Sequence, residues 1–354
     1  MLSVFHSSHV NGTFMEGARW MNLGKLLRFL SVVSLLATLT FALVLTSACT
    51  GGLNTDDRNS VGGAASSSGQ ITVTDMTGRE IVLNGPATRI VALSPSDCEI
   101  IYALGAGESI VGRGTYCDYP EGVLGIPDVE SGADMNVEQI LALNPQVVLI
   151  TKMDQGGQSQ IAALENAGIK IVICDIKNID ETYTAIHIIG TITGKDAEAN
   201  AMVDGMKQSF ADIQSKVEAH KATKPPEPTP EKIYFEVSPL QYNLWASGSN
   251  TFMDEIATML GLDNVFADVN GWAEISEEQV IERNPDYIVT VTMFYGSGVS
   301  PEEEISGRSG WGNIAAVKNG KVFRINNDEI ARPGPRLVNA AEDLMGYIYP
   351  DLVD

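Results

Sequence analysis

Residues 128–151 read DVESGADMNVEQILALNPQVVLIT, and residues 268–291, 140 positions further on, read DVNGWAEISEEQVIERNPDYIVTV. Aligned without a gap, the two stretches share an Asp-Val start, one alanine, a Glu-Gln pair and an Asn-Pro pair. Each predicts a loop, a capped helix that ends at the Asn-Pro step, and a β-rich run. A chain that builds the same unit twice is expected to have two similar lobes, with Glu138 and Glu278 at equivalent positions.

Short apolar runs alternate with helical patterns on either side of each repeat, which predicts parallel sheets covered by helices. The runs are RIVALS (89–94), SIVGRG (109–114), QVVLIT (146–151), IKIVICD (169–175), KIYFEV (232–237) and KVFRI (321–325). Ser96 and Glu99 are spaced as a capping box that would open one helix. Asn136 or Asp134 is expected to cap the helix of the first repeat.

One segment differs from this alternation, since Asp196 to His220 contains no proline and only one glycine, Gly205. Its apolar residues recur every three to four positions, which predicts a helix of about 25 residues, or ~37 Å. The following KATKPPEPTPEK (221–232) cannot continue a helix. The predicted fold is therefore two doubly wound α/β lobes, at 70–195 and 222–354, joined by one long rigid α-helix at 196–221. The ligand cleft would lie between the lobes.

Residues 1–48 have the character of an export signal. Lys25 and Arg28 precede an apolar run at 29–45, and small residues then lead to Cys49. This order resembles the lipobox of bacterial lipoproteins, although Thr46 stands where an aliphatic residue is usual. The resemblance implies that Cys49 carries the lipid and becomes the mature N-terminus. A membrane anchor is the alternative, because the run is nearly long enough to span a bilayer.

Met21 offers a second start, because residues 1–20 lack export character. After Cys49, residues 50–69 are rich in Gly, Ser, Asn and Thr, so 49–69 is interpreted as a flexible tether.

Charge and cysteine content bear on two classes of function, nucleic-acid binding and zinc binding. The net charge is −22, and without residues 1–48, which hold three basic and one acidic side chain, it becomes about −24. Such a chain is unsuited to nucleic acid, which needs basic side chains, but could attract a cationic partner. Beyond Cys49 there are three cysteines, which cannot all pair and are not spaced as a zinc site. Cys174 is expected in a buried strand, and the proximity of Cys98 and Cys117 is left open.

Several phrases, taken together and in order, resemble the ABC-importer substrate-binding proteins for cobalamin and ferric siderophores. They are TVTDMTGREIVL (72–83), YCDYP (116–120), VEQILALNPQVVL (137–149), SGSNTFMDEI (247–256), AVKNGKVF (316–323) and RPGPRL (332–337). The resemblance covers about 70–350. It implies an extracytoplasmic, lipid-anchored monomer without a cofactor of its own, whose partners are a permease dimer with its ATPase. The transported small molecule would be a chelate of cobalt or iron.

In that family each lobe presents a surface glutamate to arginines of the permease, and the matching positions here are Glu138 and Glu278. Both would lie in the first turn of a helix, where a carboxylate is also favoured by the helix dipole alone. Their equivalence within the repeat favours docking.

The resemblance also implies which residues contact the ligand. Tyr116, Trp272 and Arg332 match cleft positions of cobalamin-binding members. Aromatic faces suit a corrin or catecholate ring, and arginine suits amide carbonyls or an anionic chelate. Further candidates lie in predicted loops or near the cleft: Tyr242, Trp245, Tyr295, Arg113 and Arg308.

The ligand itself stays open. Gly132 stands where cobalamin binders can carry a tryptophan, which weakens the corrinoid assignment. Haem-binding relatives use axial Met, His or Tyr. Met135 is suitably placed for this, whereas His187 falls in a predicted helix and His220 ends the long one. A corrinoid is slightly favoured by YCDYP and Trp272, with a ferric siderophore as the main alternative.

Two other classes of function fit the sequence less well. The sequence lacks a nucleophile elbow, a phosphate-binding glycine loop and histidines at metal-ligand spacing, so an enzyme is not expected. A sensor or adhesive lipoprotein that transports nothing could share every feature of the fold and remains a remote alternative.

Overall fold

The computed structural model describes residues 69–353, apart from 133, 134, 153, 155, 156, 226–228, 295 and 297. Cys49, the predicted export signal and almost all of the predicted tether lie outside the described residues. In the described part of the chain, no helix combines the length and apolar character needed to cross a membrane.

The first lobe is built on a five-stranded parallel sheet. Its strands and helices are β1 (Ile71–Thr74), β2 (Glu80–Leu83), β3 (Ile90–Ala92), α1 (Pro95–Ala103), β4 (Ile110–Gly114), β5 (Asp128–Val129), α2 (Val137–Ala142), β6 (Val147–Ile150), α3 (Gln158–Asn166), β7 (Lys170–Ile173) and α4 (Ile179–Thr193). β1 and β2 form a separate antiparallel pair. The sheet order β5-β4-β3-β6-β7 starts at the centre and grows to both sides, which is the predicted doubly wound arrangement.

The long helix α5 (Asp196–Ala222) has 27 residues and follows the first lobe directly. Its buried residues recur at alternating intervals of four and three and form one stripe: Ala199, Val203, Met206, Phe210, Ile213 and Val217. This stripe packs against α4 on one side and against the last helix of the chain on the other. The long helix is thus fixed along its length to both lobes.

The second lobe contains a six-stranded sheet. Its elements are β8 (Lys232–Ser238), β9 (Leu244–Ser247), α6 (Phe252–Met259), β10 (Asp263–Asn264), β11 (Trp272–Ile275), α7 (Glu277–Arg283), β12 (Tyr287–Thr290), α8 (Pro301–Gly307), α9 (Ala315–Lys318), β13 (Val322–Arg324), α10 (Asn327–Ile330) and α11 (Leu337–Ile348). The order is β11-β9-β8-β12-β13, with β10 also paired to β8.

β9 departs from the parallel sheet that the alternation of strands and helices predicts. It runs antiparallel to both β8 and β11. The connection between β8 and β9 is a short turn around Leu240–Tyr242, with Asn243 at φ 68°. So short a connection allows only an antiparallel neighbour, because a parallel strand needs a crossover of a dozen or more residues.

The repeated sequence forms equivalent structures in both lobes. Asn136 caps α2 by accepting a hydrogen bond from the backbone N–H of Gln139, as predicted. Ser276 caps α7 in the same way, with Gln279 completing a capping box. In both Asn-Pro steps the asparagine is left-handed, at φ 47°. Asparagine tolerates this conformation better than most residues, which explains why it stands there in both units.

The predicted capping box at Ser96–Glu99 is wrong. α1 begins two residues earlier than that box requires, at Pro95 after the N-cap Ser94, and no side chain caps it. Proline at the first helical position supplies the required φ without needing a hydrogen-bond partner. Ser96 and Glu99 therefore lie inside the helix, and Glu99 is free to bond elsewhere.

The largest hydrophobic core is continuous between the lobes. It includes Ile100 of α1, Phe210 of α5, Phe252 of α6 and Leu344 of α11, all at most 5% exposed. Two smaller cores lie on the other faces of the two sheets, around Ile140 in the first lobe and around Trp311 in the second. The lobes thus share buried apolar surface as well as a connecting helix.

Candidate ligand cleft

A cavity of about 630 Å³ opens between the lobes. The first lobe contributes Tyr116 and Asp118 from the loop after β4, and the second contributes residues after β12 and around β13. The lining from the second lobe is Thr292, Met293, Phe294, Arg324, Ile325, Asn326, Asn327, Asp328, Arg332, Asp343 and Tyr347. Ligands of α/β proteins bind at such carboxyl ends of strands.

Arg332 lines this cavity and is held by carboxylates of both lobes. It contacts Asp118 of the first lobe at 2.5 Å, Asp328 at 2.8 Å and Glu99 at 3.4 Å. Burial acts to lower the pKa of Arg332, but the Asp118 hydrogen bond and the Asp328 charge outweigh it and raise that pKa. The Arg332 hydrogen bond in turn lowers the pKa of Asp118.

Arg336 forms a second link between the lobes. Its Nε and Nη2 donate to the two oxygens of Glu99 at 2.8 and 2.6 Å, and its guanidinium lies 4.0 Å from the centre of the Tyr119 ring. Glu99 is only 3% exposed. A buried carboxylate is tolerable because two arginines surround it.

The fixed charges of the cavity are acidic overall. Asp118, Asp328 and Asp343 supply three carboxylates, against the guanidinium groups of Arg324 and Arg332. Arg324 is itself paired with Glu302 at 3.5 Å and lies 5.1 Å from the Phe294 ring. The described lining therefore offers no surplus of positive charge for an anionic ligand.

Aromatic rings border the cavity on both sides. Tyr116 is 74% exposed at the first-lobe edge. Tyr347 of the second lobe stacks on Phe323 with ring centres 4.8 Å apart, so its position is fixed. Phe294 adds a third ring. Flat rings placed this way can contact the face or edge of a planar chelate.

A second cavity of about 330 Å³ adjoins the first through Thr292, Met293 and Phe294. Arg308, which was expected near the cleft, does not line either cavity. Its guanidinium is buried and forms ion pairs with Glu236 at 2.6 Å and with Glu304 at 2.5 Å. The guanidinium also lies over the Trp311 ring, so Arg308 stabilises the interior of the second lobe.

Arg113 is likewise absent from the described lining. Its guanidinium donates to the carbonyl oxygens of Gly114 and Cys117, both at 3.2 Å. It fixes the backbone of the loop that carries Tyr116.

Trp272 and Trp245 lie together, and neither is among the residues that line the large cavity. They project from one face of the β9–β11 pair as diagonal neighbours, and are 37% and 38% exposed. Trp272 is 5.5 Å from Phe252, whose backbone N–H donates to Lys177 of the first lobe at 2.9 Å. The two indoles thus stand beside another meeting point of the lobes.

The remaining aromatic candidates are less informative. Tyr242 is 71% exposed in the turn before β9 and lines neither cavity. Tyr295 lies outside the described residues.

The placement of Met135 for haem is wrong. Its side chain is 3% exposed, in the core between the first sheet and its outer helices, because it precedes α2 on the buried side. His187 is exposed on α4, and His220 packs against Tyr349 at the end of α5, 5.5 Å between ring centres. None of these three residues lines the large cavity.

Gly132 and Trp272, which differ between the repeats, also differ in conformation. Gly132 is at φ 82°, and its N–H donates to Asp154 at 2.6 Å. A side chain would be strained there, which explains why this loop carries glycine.

Glu138 and Glu278 occupy the second position of α2 and α7, respectively, and both are exposed. No ion pair joins either carboxylate to a described basic side chain. The hydrogen bonds of its own backbone N–H and of the Ser276 hydroxyl lower the pKa of Glu278. Both glutamates are therefore available to a partner.

Sequence reasoning missed the charged partners of Arg332. In the sequence, Asp118 is only one residue of the phrase YCDYP, and the spacing of Ser96 and Glu99 predicts a helix cap instead of an ion pair. Arg332 and Arg336 are four positions apart, a spacing that can place two guanidinium groups on one acceptor, but nothing in the sequence identifies that acceptor.

Comparisons with known proteins agree with this architecture. A family model described as periplasmic binding protein matches residues 90–329. An uncharacterized ABC transporter substrate-binding lipoprotein, YvrC, from Bacillus subtilis is 33% identical over 89% of this chain and 96% of its own. A vitamin B12-binding protein from Pectobacterium atrosepticum is 28% identical over 73% of this chain and 88% of its own.

Among solved structures, a possible iron-binding (periplasmic solute-binding) protein from Staphylococcus epidermidis is 32% identical, with a TM-score of 0.63. The alignment covers 74% of this chain and 99% of that protein.

Proposed function

Because this chain belongs to the periplasmic binding protein family, we propose that it is the extracytoplasmic, lipid-anchored substrate-binding component of an ABC importer. It captures a metal chelate, preferably a corrinoid, in the cleft between its lobes. The observation that carries this proposal is the cavity between the lobes, whose lining includes Tyr116, Tyr347 and the buried Arg332. The names of the B. subtilis and P. atrosepticum relatives support the transport role and the corrinoid, respectively.

The charge of the cavity supports a neutral or cationic chelate. Arg332 is already neutralised by Asp118 and Asp328, and Asp343 adds a further carboxylate. Bringing an anionic ligand to these carboxylates would cost electrostatic energy, which the overall charge of about −24 of the chain without residues 1–48 increases. The amide side chains of a corrinoid, in contrast, can donate hydrogen bonds to carboxylates.

A ferric siderophore without net negative charge, such as a trihydroxamate, is the second candidate. The name of the S. epidermidis protein, possibly iron-binding, favours it. Haem is a weaker candidate, because its propionates are anionic and neither Met135 nor the two histidines considered as axial ligands line the cavity.

Capture involves no covalent chemistry. The shared core, α5 and the Glu99–Arg336 link limit how far the lobes can separate, so binding is accompanied by little closure. Glu138 and Glu278 then dock onto arginines of the permease. The ATP-driven change of the permease separates the lobes and releases the chelate.

Ligand choice is tested by titrating the purified protein with cyanocobalamin, haemin, a ferric trihydroxamate and a ferric tricatecholate. Absorbance and tryptophan fluorescence report binding. We expect saturable binding of cyanocobalamin and none of the tricatecholate. Tight binding of the tricatecholate with no binding of cyanocobalamin would overturn the assignment.

Two tyrosines provide a matched pair of variants for the same titration. Tyr116 and Tyr242 are similarly exposed, at 74% and 71%, but only Tyr116 lines the cavity. Tyr116→Ala should weaken binding about tenfold, the loss of one aromatic contact of ~1.4 kcal/mol. Tyr242→Ala should leave affinity unchanged. If Tyr242→Ala weakened binding and Tyr116→Ala did not, the ligand would bind outside this cavity.

A further inference from the structure

Two cysteine thiols meet beneath the loop that borders the cleft. The Sγ atoms of Cys98 and Cys117 both approach the carbonyl oxygen of Ala92, at 3.6 and 3.7 Å. Both residues are at most 1% exposed. The pKa of Cys98 is raised, first by its hydrogen bond with the Cys117 thiol and then by burial. The two thiols therefore converge on one shared backbone carbonyl.

The local fold produces this meeting. Cys98 lies in the first turn of α1, directly after β3, which ends at Ala92. Gly114 ends β4 against the same strand end, and a Cβ there would lie 2.1 Å from the carbonyl oxygen of Leu93. A turn from Gly114 then brings Cys117 back over Ala92, with its N–H donating to the Gly114 carbonyl at 3.0 Å.

We propose that Cys98 and Cys117 form an intramolecular disulfide. This proposal rests on the extracytoplasmic location proposed above, because disulfides persist in oxidising compartments. The oxidant is a disulfide-bearing thiol oxidoreductase or a small-molecule disulfide. One cysteine thiolate attacks that disulfide and releases one thiol, and the second thiolate resolves the mixed disulfide and releases the other. The two cysteines lose two electrons and two protons, and the disulfide of the oxidant is reduced to two thiol groups.

The oxidant can reach the pair before or during final packing. Tyr116, the neighbour of Cys117, is 74% exposed, and Asp118 on its other side has a half-exposed side chain. A small opening of this loop would therefore uncover the Cys117 thiol. Cys174, which is buried near Asp97 at the end of β7, has no such neighbouring thiol in the described part of the chain.

The disulfide would fix the cleft loop to α1. Tyr116 and Asp118 flank Cys117, so the crosslink holds both a ring of the cleft and the partner of Arg332 in place. Loop immobilisation before binding reduces the ordering that the ligand must otherwise impose.

The direct test is thiol mapping of the full chain isolated from cell envelopes. Free thiols are trapped with N-ethylmaleimide at lysis, and the denatured, unreduced protein is digested and analysed by mass spectrometry. We expect a Cys98–Cys117 linked peptide, lighter than the two thiol peptides by two hydrogen atoms, and alkylated Cys174. Recovery of Cys98 and Cys117 as alkylated peptides would overturn the proposal.

Variants separate the pairing from general thiol reactivity. In Cys117→Ala, Cys98 should become alkylated, whereas Cys174→Ala should keep the linked peptide. Reduction should lower the melting temperature of the wild type by roughly 5 °C, as expected for a crosslink closing a short loop, and should not change that of Cys117→Ala. An equal fall in both proteins would contradict the pairing. The mapping needs no ligand, so its outcome is independent of whether a corrinoid binds.

Discussion

Glu99 of the first lobe and Arg336 of the second form a two-point ion pair, with Nε and Nη2 at 2.8 and 2.6 Å from the two carboxylate oxygens. The pair lies directly behind Arg332, which shares Glu99 and reaches the cavity. The floor of the cleft is thus an electrostatic contact between the lobes. Its geometry couples the position of a cavity arginine to the separation of the lobes.

Glu99→Gln should destabilise the protein by about 3 kcal/mol, because removal of one partner leaves buried guanidinium charge without its counterion. Denaturant unfolding measures this loss. Glu342→Gln on the exposed side of α11 is the control and should change nothing. An unchanged midpoint in Glu99→Gln would mean that the pair is not a significant link between the lobes.

Gly205→Ala should stabilise the protein by up to about 1 kcal/mol, since alanine is the better helix former and a Cβ there meets no other atom within 4 Å. Ligand affinity should stay unchanged if α5 does not bend on binding. Gly194→Ala is the contrasting variant, because Gly194 is at φ 69° and a Cβ there would lie 2.8 Å from Pro86. This variant should destabilise the protein. Weaker ligand binding by Gly205→Ala would indicate that α5 bends at a hinge.

Asp97 makes stability depend on pH. Burial first, and then the charge of Asp154, raise the pKa of this carboxyl from 3.8 to about 8, partly offset by the neighbouring Cys174 thiol. Between these values the folded state holds a proton that the unfolded state has released. Stability therefore falls as pH rises from about 4 to 8, by roughly 1.4 kcal/mol per pH unit from this group.

Asp97→Asn should remove that slope, because an amide does not titrate. Unfolding midpoints measured from pH 5 to pH 8 would reveal it. Asp204→Asn, on the exposed face of α5, should keep the wild-type slope. If Asp97→Asn also kept it, the carboxyl would be ionised in the folded protein.

The sequence predicted the fold well because its signals are local and repeated. The duplicated unit, the apolar spacing of α5 and the proline-rich stop after it each act over a few residues. The resemblance to importer substrate-binding proteins, and with it the α/β fold of two lobes, is confirmed by the family match and the relatives. The β8–β9 hairpin escaped prediction because its turn lacks a strong sequence signal.

The cleft was only partly predictable because its charges pair across long sequence distances. Glu99 and Arg336 are 237 positions apart, and no local pattern relates them. Tyr116 and Arg332 do line one cavity, whereas Trp245 and Trp272 form a separate pair beside α6. Their roles in binding remain predictions.

Docking through Glu138 and Glu278 of the two lobes is tested by measuring uptake. Glu138→Lys combined with Glu278→Lys reverses two exposed charges at equivalent helix starts. The control is Glu108→Lys with Glu342→Lys, which makes the same change of net charge on other exposed positions of the two lobes. Both proteins should bind cyanocobalamin like the wild type.

Uptake of labelled cobalamin is then compared between cells that carry the permease together with each variant. The Glu138/Glu278 variant should lose uptake by at least tenfold, the factor that corresponds to ~1.4 kcal/mol of lost docking energy. The Glu108/Glu342 control should retain it. Full uptake with the Glu138/Glu278 variant would contradict docking through the two repeats.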